Sequence, residues 1–534
     1  MSRQYRWWEH GIIYQIYPRS FADSNGDGIG DLRGIIDKLD YLEWLGVDAL
    51  WLSPIYPSPM ADFGYDVSDY TGVHPIFGTL QDFDILVTQA HRRGLKVILD
   101  FVPNHTSDQH PWFLESRASR TNPKRDWYLW RDPAPGGGPP NNWISTFGGS
   151  AWEWDAATEQ YFYHAYLKQQ PDLNWRHPGV QEAMLNVMRF WLDRGVDGFR
   201  VDVIWHLIKD DQFRSNPPNP AYRPGEWPYL QLLATYTTDR PEVHDIIAKM
   251  RKVLDGYDDR MMVGEIYLPI QRLVTYYGTE GSGAHLPFNF QLIELSWDAR
   301  TIATAVESYE AALPADGWPN WVLGNHDKPR IVARVGAAQA RVAAMLLLTL
   351  RGTPTMYYGD ELGMDNVPIP SALVQDPWEK NVPGHGLGRD PSRTPMQWDG
   401  SVHAGFTTGR PWLPISDEAV SVNVAAERDD RTSVLTFYRR LIRLRRAESA
   451  LSVGDYQTVR ISDAVYGFLR RHGDRRLVIA LNFTPSFQFM NLTPCHDPGR
   501  LVLSTHLDRE GEEVMDVVKL RPNEAVIVSL PDTP

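Results

Sequence analysis

The chain has 534 residues, 43% hydrophobic and 22% charged, a globular balance in a length too great for one ordinary domain. A net charge of -14 with no offsetting basic cluster argues against a nucleic-acid partner. No apolar run approaches the roughly 18 residues of a membrane span, so no membrane insertion is expected.

The N-terminal "MSRQYRWWEHG" lacks the apolar core of a secretory signal. Short β-rich runs then recur, each followed by a helix-like segment. "GIIYQIYP" (11–18) precedes "DLRGIIDKLDYLEWLG", and "VDALWLSP" (47–54) precedes "LQDFDILVTQAHRRG". "LKVILDFVPNH" (95–105) reads as a buried strand, and "VQEAMLNVMRFWLDRG" as an amphipathic helix leading into "VDGFRVDV". "DRMMVGEIY" (259–267), the weaker "AHLPFNFQL", "WPNWVLGNHD" (318–327) and "GTPTMYYGDE" (352–361) complete the set.

Eight strands alternating with helices predict a parallel sheet closed into an α/β (β/α)8 TIM barrel, over 1–104 and 175–446. The Pro-, Gly- and Trp-rich stretch 105–174 is too long for a βα loop and predicts an inserted subdomain after the third strand. From 447 to 534 the alternation shortens ("AVYGFLRR", "RRLVIALNF", "EAVIVSL"), as in a C-terminal antiparallel β-sandwich domain. The lone cysteine, Cys495, cannot close an internal disulfide, which fits a reducing, cytoplasmic setting.

In a barrel of this kind the chemistry sits at the C-terminal strand ends. Arg200 and Asp202 share one face of "GFRVDV", because side chains alternate along a strand. Arg200 is placed to hold Asp202 ionised and oriented. Glu265 ends "MMVGE" among apolar neighbours that would raise its pKa and suit it to act as an acid. His105 and His326 with Asp327 end two further strands. Taken singly, each residue has a plainer reading: a structural salt bridge, a solvated rim charge, or a satisfied histidine. Together they supply one acidic and one ionised carboxylate about a bond, the equipment of glycoside hydrolysis. The 20 Trp and 24 Tyr, many beside Asp, Asn or Gly, suit flat hydroxylated ligands.

These residues carry a resemblance. "DFVPNH" (100–105), "GFRVDV" (198–203), "GEIY" (264–267) and "LGNHD" (323–327) resemble the four core motifs of the α-amylase family of glycoside hydrolases. "QPDLNW" (170–175), "DFGYDVSDY" and "RTPMQWD" resemble its α-glucosidase and oligo-1,6-glucosidase branch. The resemblance implies Asp202 as nucleophile, Glu265 as general acid and base, and Asp327 as transition-state stabiliser, in a retaining mechanism. It implies that Arg200, His105 and His326 surround the same glucose and that Tyr65 stacks beneath it. Asp62, paired with Arg389, would hold the 4- and 6-hydroxyls and close the pocket, favouring glucose release from non-reducing ends. Phe147 and Tyr166 are implied wall residues, and Val203 after the nucleophile goes with α-1,6 activity in that branch. Short oligosaccharides or disaccharides are the implied substrates.

"DSNGDGIGD" (23–31) places Asp23, Asn25 and Asp27 at positions one, three and five of an EF-hand-like loop, with Gly28 at six. Position twelve is Gly34 rather than Glu, so a full EF-hand is excluded. The resemblance implies a single structural Ca²⁺ or Mg²⁺ held by Asp23, Asn25, Asp27, the Ile29 carbonyl and Asp31, with no organic cofactor. Two other readings share the motifs: a glucosyl-transferring or isomerising relative, and a non-enzymatic transporter-associated homologue. The latter carries an N-terminal membrane helix in that family, which is not expected here, and some of its members lack the carboxylates kept here as Asp202, Glu265 and Asp327.

Overall fold

A computed structural model describes residues 4–492 and 498–531, so Cys495 lies outside the described residues. Eight parallel strands run β1 Ile13–Ile16, β2 Ala49–Leu52, β3 Lys96–Phe101, β4 Gly198–Val201, β5 Met261–Ile266, β6 Leu286–Asn289, β7 Asn320–Val322 and β8 Thr353–Tyr357. Their order in the sheet is β7-β8-β1-β2-β3-β4-β5-β6. The backbone ladder is open between β6 and β7, and a side chain bridges the gap. Asn289 N donates to Asn320 Oδ1 at 3.0 Å, and Asn320 Nδ2 donates to Pro287 O at 2.6 Å. Pro287 has no N–H to give, so an amide side chain replaces part of the ladder.

The barrel's interior is a packed core of Ile13, Ala49, Trp51, Ile98, Val263, Phe288 and Val322. Outside it, helices bury apolar stripes. In Pro178–Asp193 the buried residues Val180, Met184, Val187, Met188, Trp191 and Leu192 recur at helical spacing, and His177 caps the N-terminus. Leu80–Arg92 begins with a capping box between Thr79 and Asp82. Ala337–Thr349 is buried almost throughout, which explains the unbroken apolar "VAAMLLLTL".

Between β3 and β4 the chain forms a three-stranded antiparallel sheet from Trp130–Arg131, Trp152–Asp155 and Gln160–Tyr163. After the helix Val434–Ala447 and a short turn of helix at Ser449–Ser452, a six-stranded antiparallel sheet starts at Asp455–Ile461. A two-stranded sheet, Gln488–Asn491 with Val517–Leu520, packs on it through Val465, Val478, Met490 and Val518.

Candidate active site

The register of β3 and β4 sets Asp100 beside Arg200. Both point inward, and Arg200 is 1% exposed. Its Nη1 donates to Asp100 Oδ1 at 2.9 Å and to Asp202 Oδ1 at 2.6 Å. Its Nη2 lies 2.6 Å from Glu265 Oε2, an ion contact whose angle is poor for a hydrogen bond. One guanidinium thus carries three buried carboxyls.

The strand does not run through "GFRVDV" as the alternation suggests. It stops at Val201, and Val203 turns into the left-handed region at φ 37° and ψ 46°. For a β-branched residue that conformation is strained. Its result is local: Val203 N donates to Glu265 Oε2 at 3.0 Å. Gly264 makes room for Ile204, whose side chain would lie 3.2 Å from any added Cβ.

Burial raises the pKa of Asp202 well above the usual range, and the charges of Glu265 and Asp100 push the same way against Arg200. Burial also raises Glu265, with Arg200 opposing. The two carboxyls titrate as a pair that retains a proton. Asp202 takes the well-aligned Arg200 bond, so the shared proton belongs on Glu265. Asp327 behaves oppositely. Against the pull of burial, His326 and the guanidiniums of Arg389 and Arg393 hold it below the usual carboxylate range.

His326 and Asp327 lie past the end of β7 rather than on it, in a turn closed by Asp327 N donating to Asn325 Oδ1 at 3.0 Å. His326 Nδ1 meets Gln15 Nε2 at 2.7 Å and its Nε2 meets the Tyr65 hydroxyl at 2.6 Å. This network assigns the proton to Nε2. Tyr65 in turn donates to Asp100 Oδ2 at 3.0 Å, and its ring lies parallel to that of His326. Burial lowers the pKa of His326 well below its ordinary value and that of His105 to about 4, so both rings are neutral near pH 7.

His105 is held from the inserted subdomain. Lys209 Nζ, 2% exposed as a residue, reaches Asp172 Oδ2 at 2.5 Å and Asn104 Oδ1 at 2.6 Å. Asn104 Nδ2 then meets His105 Nδ1 at 3.1 Å. Asp172, inside "QPDLNW", so couples the insertion to the barrel.

Asp62 Oδ1 accepts from Arg389 Nη2 at 2.6 Å. The same nitrogen donates to Asp376 Oδ1 at 2.6 Å, and Arg389 Nη1 reaches Asp327 Oδ1 at 3.4 Å. Arg393 adds 2.9 Å to Asp327 Oδ1. Asp62, Tyr65, His105, Phe147, Tyr166, Asp202, Val203, Glu265, Asp327 and Arg389 line one cavity of about 510 Å³. Arg200 and His326 stand behind its wall. Gln170 and His206 also line the cavity, and reading the sequence missed them together with Asp100, Gln15, Asp376 and Arg393. A signal existed for Asp100 and Gln15, polar residues inside the apolar runs "VILDF" and "IIYQIYP". Asp376 and Arg393 lie in irregular chain and carry no such signal. Six carboxyl groups (Asp62, Asp100, Asp202, Glu265, Asp327, Asp376), with the retained proton on Glu265, thus face three guanidiniums, and the surplus of negative charge that is left suits a developing cation.

None of Asp23, Asn25, Asp27, Ile29 and Asp31 lines this cavity. Asp23 accepts from the amides of Asn25, Gly26 and Gly28 and from Thr407, and Asp27 accepts from Ile29 N. Asp31 caps the following helix through Gly34 N at 2.7 Å. The oxygens are hard donors of the kind Ca²⁺ takes. As placed they close the loop on its own amides, and among the described residues no three His, Cys, Asp or Glu are gathered to hold a metal.

Comparison with known proteins gives concordant findings. The sequence model described as "Alpha amylase, catalytic domain" matches residues 15–454. A "Probable alpha-glucosidase" of Rhizobium meliloti (strain 1021) is 44% identical over 90% of this chain and 89% of its own. An "Oligo-1,6-glucosidase" of Parageobacillus thermoglucosidasius is 40% identical over 98% of this chain and 99% of its own. The crystal structure of an "alpha-glucosyl transfer enzyme, XgtA" is similar at 41% identity and a TM-score of 0.93, covering 99% of this chain and 100% of that one.

Proposed function

The chain belongs to the α-amylase family of glycoside hydrolases, and we propose that it is an exo-acting, retaining α-glucosidase of short α-glucosides. The observation that carries this is the Asp202–Glu265 pair, buried and raised, on opposite nitrogens of one guanidinium. Glu265, protonated, gives its proton to the glycosidic oxygen. An Asp202 oxygen attacks C1 as that bond breaks, forming a glucosyl ester. Glu265, now a carboxylate, takes a proton from water, which attacks C1 and releases Asp202. This roles assignment requires carboxyls about 5–5.5 Å apart across the bound sugar. Asp327 and His105 meet the glucose hydroxyls, Tyr65 stacks beneath the ring, and the Asp62–Arg389 pair closes the end of the pocket, with Arg200 and His326 supporting its wall from behind. That closure supports cleavage of terminal glucose.

Val203 supports α-1,6 linkages among the substrates. A stiff apolar group beside the leaving sugar offers no hydroxyl, and one such contact biases selectivity by about 1–3 kcal/mol. A panel of isomaltose, maltose, trehalose and sucrose, with the product anomer read by NMR, tests the whole reading. Glucose should appear first as the α-anomer, with isomaltose cleaved at least as well as maltose. A tenfold preference for maltose would remove the linkage assignment, and β-glucose as first product the retaining mechanism.

Glucosyl transfer to a sugar is a second reading, favoured by the similarity to the alpha-glucosyl transfer enzyme that shares the fold. In the same panel it would show as isomerised or transferred product exceeding free glucose.

The 23–31 loop supports a structural Ca²⁺, or Mg²⁺, remote from the chemistry. Binding would turn the carboxylates of Asp23, Asp27 and Asp31 from amides to the ion. Chelator should then lower the melting temperature and added Ca²⁺ restore it. An unchanged melt in EDTA would sink the assignment. Among the described residues no helix is long and apolar enough to cross a membrane. A cytoplasmic setting is supported by the lone cysteine.

A further inference from the structure

His105 lines the pocket and burial keeps its ring neutral, so one ring nitrogen carries a proton and the other a lone pair. Groups behind the ring decide which. Lys209 is buried past the end of β4, and its backbone carbonyl accepts from Arg176 Nη1 at 2.7 Å. Its Nζ lies 2.5 Å from Asp172 Oδ2, 2.6 Å from Asn104 Oδ1 and 5.6 Å from the centre of the Tyr163 ring. An ammonium only donates, so the Asn104 oxygen has to face it. The Asn104 amide nitrogen then turns the other way, to Asp172 Oδ2 at 2.8 Å and His105 Nδ1 at 3.1 Å. That nitrogen also only donates. His105 Nδ1 is therefore the acceptor, and the proton sits on Nε2.

The far side of the ring agrees. Nε2 lies 3.1 Å from the Tyr65 carbonyl oxygen, which only accepts. It also lies 3.2 Å from Gln170 Nε2, whose amide is oriented by Oε1 accepting from Leu167 N at 3.0 Å. Two N–H groups thus face each other there, and neither satisfies the other. Gln170 Nε2 is in turn 3.4 Å from Asp62 Oδ2. A histidine donor and a carboxylate acceptor so flank one spot at the closed end of the pocket. A hydroxyl accepts from the first and donates to the second, whereas a hydrogen in its place leaves both without a partner.

We propose that Lys209 and Asn104 are positioning residues that lock His105 as its Nε2–H tautomer, which makes the closed end of the pocket selective for a sugar hydroxyl that accepts from His105 and donates to Asp62. The choice of sugar rests on the glucosidase reading above, and the lock rests on the geometry alone.

Nitrogen NMR of the intact enzyme labelled at histidine reads the lock directly, with His105→Gln to identify the signal among the 16 histidines. In the wild type Nδ1 should resonate as a bare nitrogen and Nε2 as a protonated one. Asn104→Asp combined with Asp172→Asn keeps one carboxylate for Lys209 but sets an accepting oxygen against Nδ1, so the two signals should exchange. Kinetics on an aryl α-glucoside and its 4-deoxy and 6-deoxy analogues read the consequence. In the wild type one analogue should fall at least about tenfold below the parent in kcat/KM. In the double variant the parent should fall at least about tenfold, and the gap to that analogue should close to within about threefold, because the same interaction is already lost. A general structural defect would lower parent and analogue alike and leave the gap open. A proton on Nδ1 in the wild type, a wild-type gap below tenfold for both analogues, an unchanged tautomer in the folded double variant, or a gap that stays open overturns the proposal. Should the double variant not fold, the wild-type spectrum and gap decide. Failure of the wild type to release glucose from any α-glucoside would instead overturn the glucosidase reading, and the spectrum would still judge the lock.

Discussion

Asp202→Ala is expected to lower kcat on an α-glucoside by at least about 10⁴-fold, roughly 5.5 kcal/mol of barrier, while the fold stays at least as stable. The loss follows from removing the one group placed to form the ester with C1. The stability follows from the sign of its pKa shift. Burial and the charges of Glu265 and Asp100 raise Asp202 above its unfolded value. A carboxyl so shifted costs folding free energy at every pH where the unfolded chain is ionised, and its removal relieves that cost. Arg200 keeps Asp100 at 2.9 Å and Glu265 at 2.6 Å as partners. Unfolding in denaturant should therefore show a midpoint equal to or above wild type. Azide should rescue Asp202→Ala with β-glucosyl azide and Glu265→Ala with α-glucosyl azide, since only the first variant leaves the face opposite the leaving group open. A kcat within tenfold of wild type would remove Asp202 from the chemistry. In the wild type the same pair sets a bell-shaped pH profile. Activity falls on the alkaline side as Glu265 loses its proton, above the ordinary glutamate range because burial raises it. It falls on the acid side as the pair takes up a second proton.

Arg389→Ala is expected to have the opposite effect on stability, a loss of about 3–5 kcal/mol, with KM raised more than tenfold. Arg389 is 6% exposed and its Nη2 alone serves Asp62 and Asp376 at 2.6 Å each. Without it two buried carboxylates lose their counterion, and Asp376 is fully buried. The end of the pocket also loses the group that orients Asp62 toward a terminal glucose. Arg389→Lys should recover only part of either effect, because one ammonium cannot present a planar fork to several carboxylates. Denaturant unfolding and the inhibition constant for glucose measure the two consequences separately. A variant as stable as wild type would show that Asp62 and Asp376 are compensated by other groups.

The pair of variants separates two uses of buried charge. Around Arg200, carboxyls outnumber cations and their strain is spent on a retained proton. Around Arg389, the cation is what permits the carboxyls to be buried at all. Val203 adds a backbone counterpart, since its left-handed turn aims an amide at Glu265.

Much of this was determined by local sequence. Apolar runs of strand length gave eight barrel strands, and caps such as Thr79 and His177 mark helix starts, because period and capping depend on neighbours a few residues away. Asp202 and Glu265 stood out for the same reason, as charges ending apolar strands. Only the tertiary structure decided what those charges meet. Asp62 and Arg389 are 327 residues apart in sequence, and Asp376 and Arg393 join them from loops with no period to read. Closure of the barrel by Asn320 arises in the same way. Side-chain alternation tells which face a residue takes, whereas convergence depends on register between strands and on the paths of long loops, and these are set by packing the whole barrel at once.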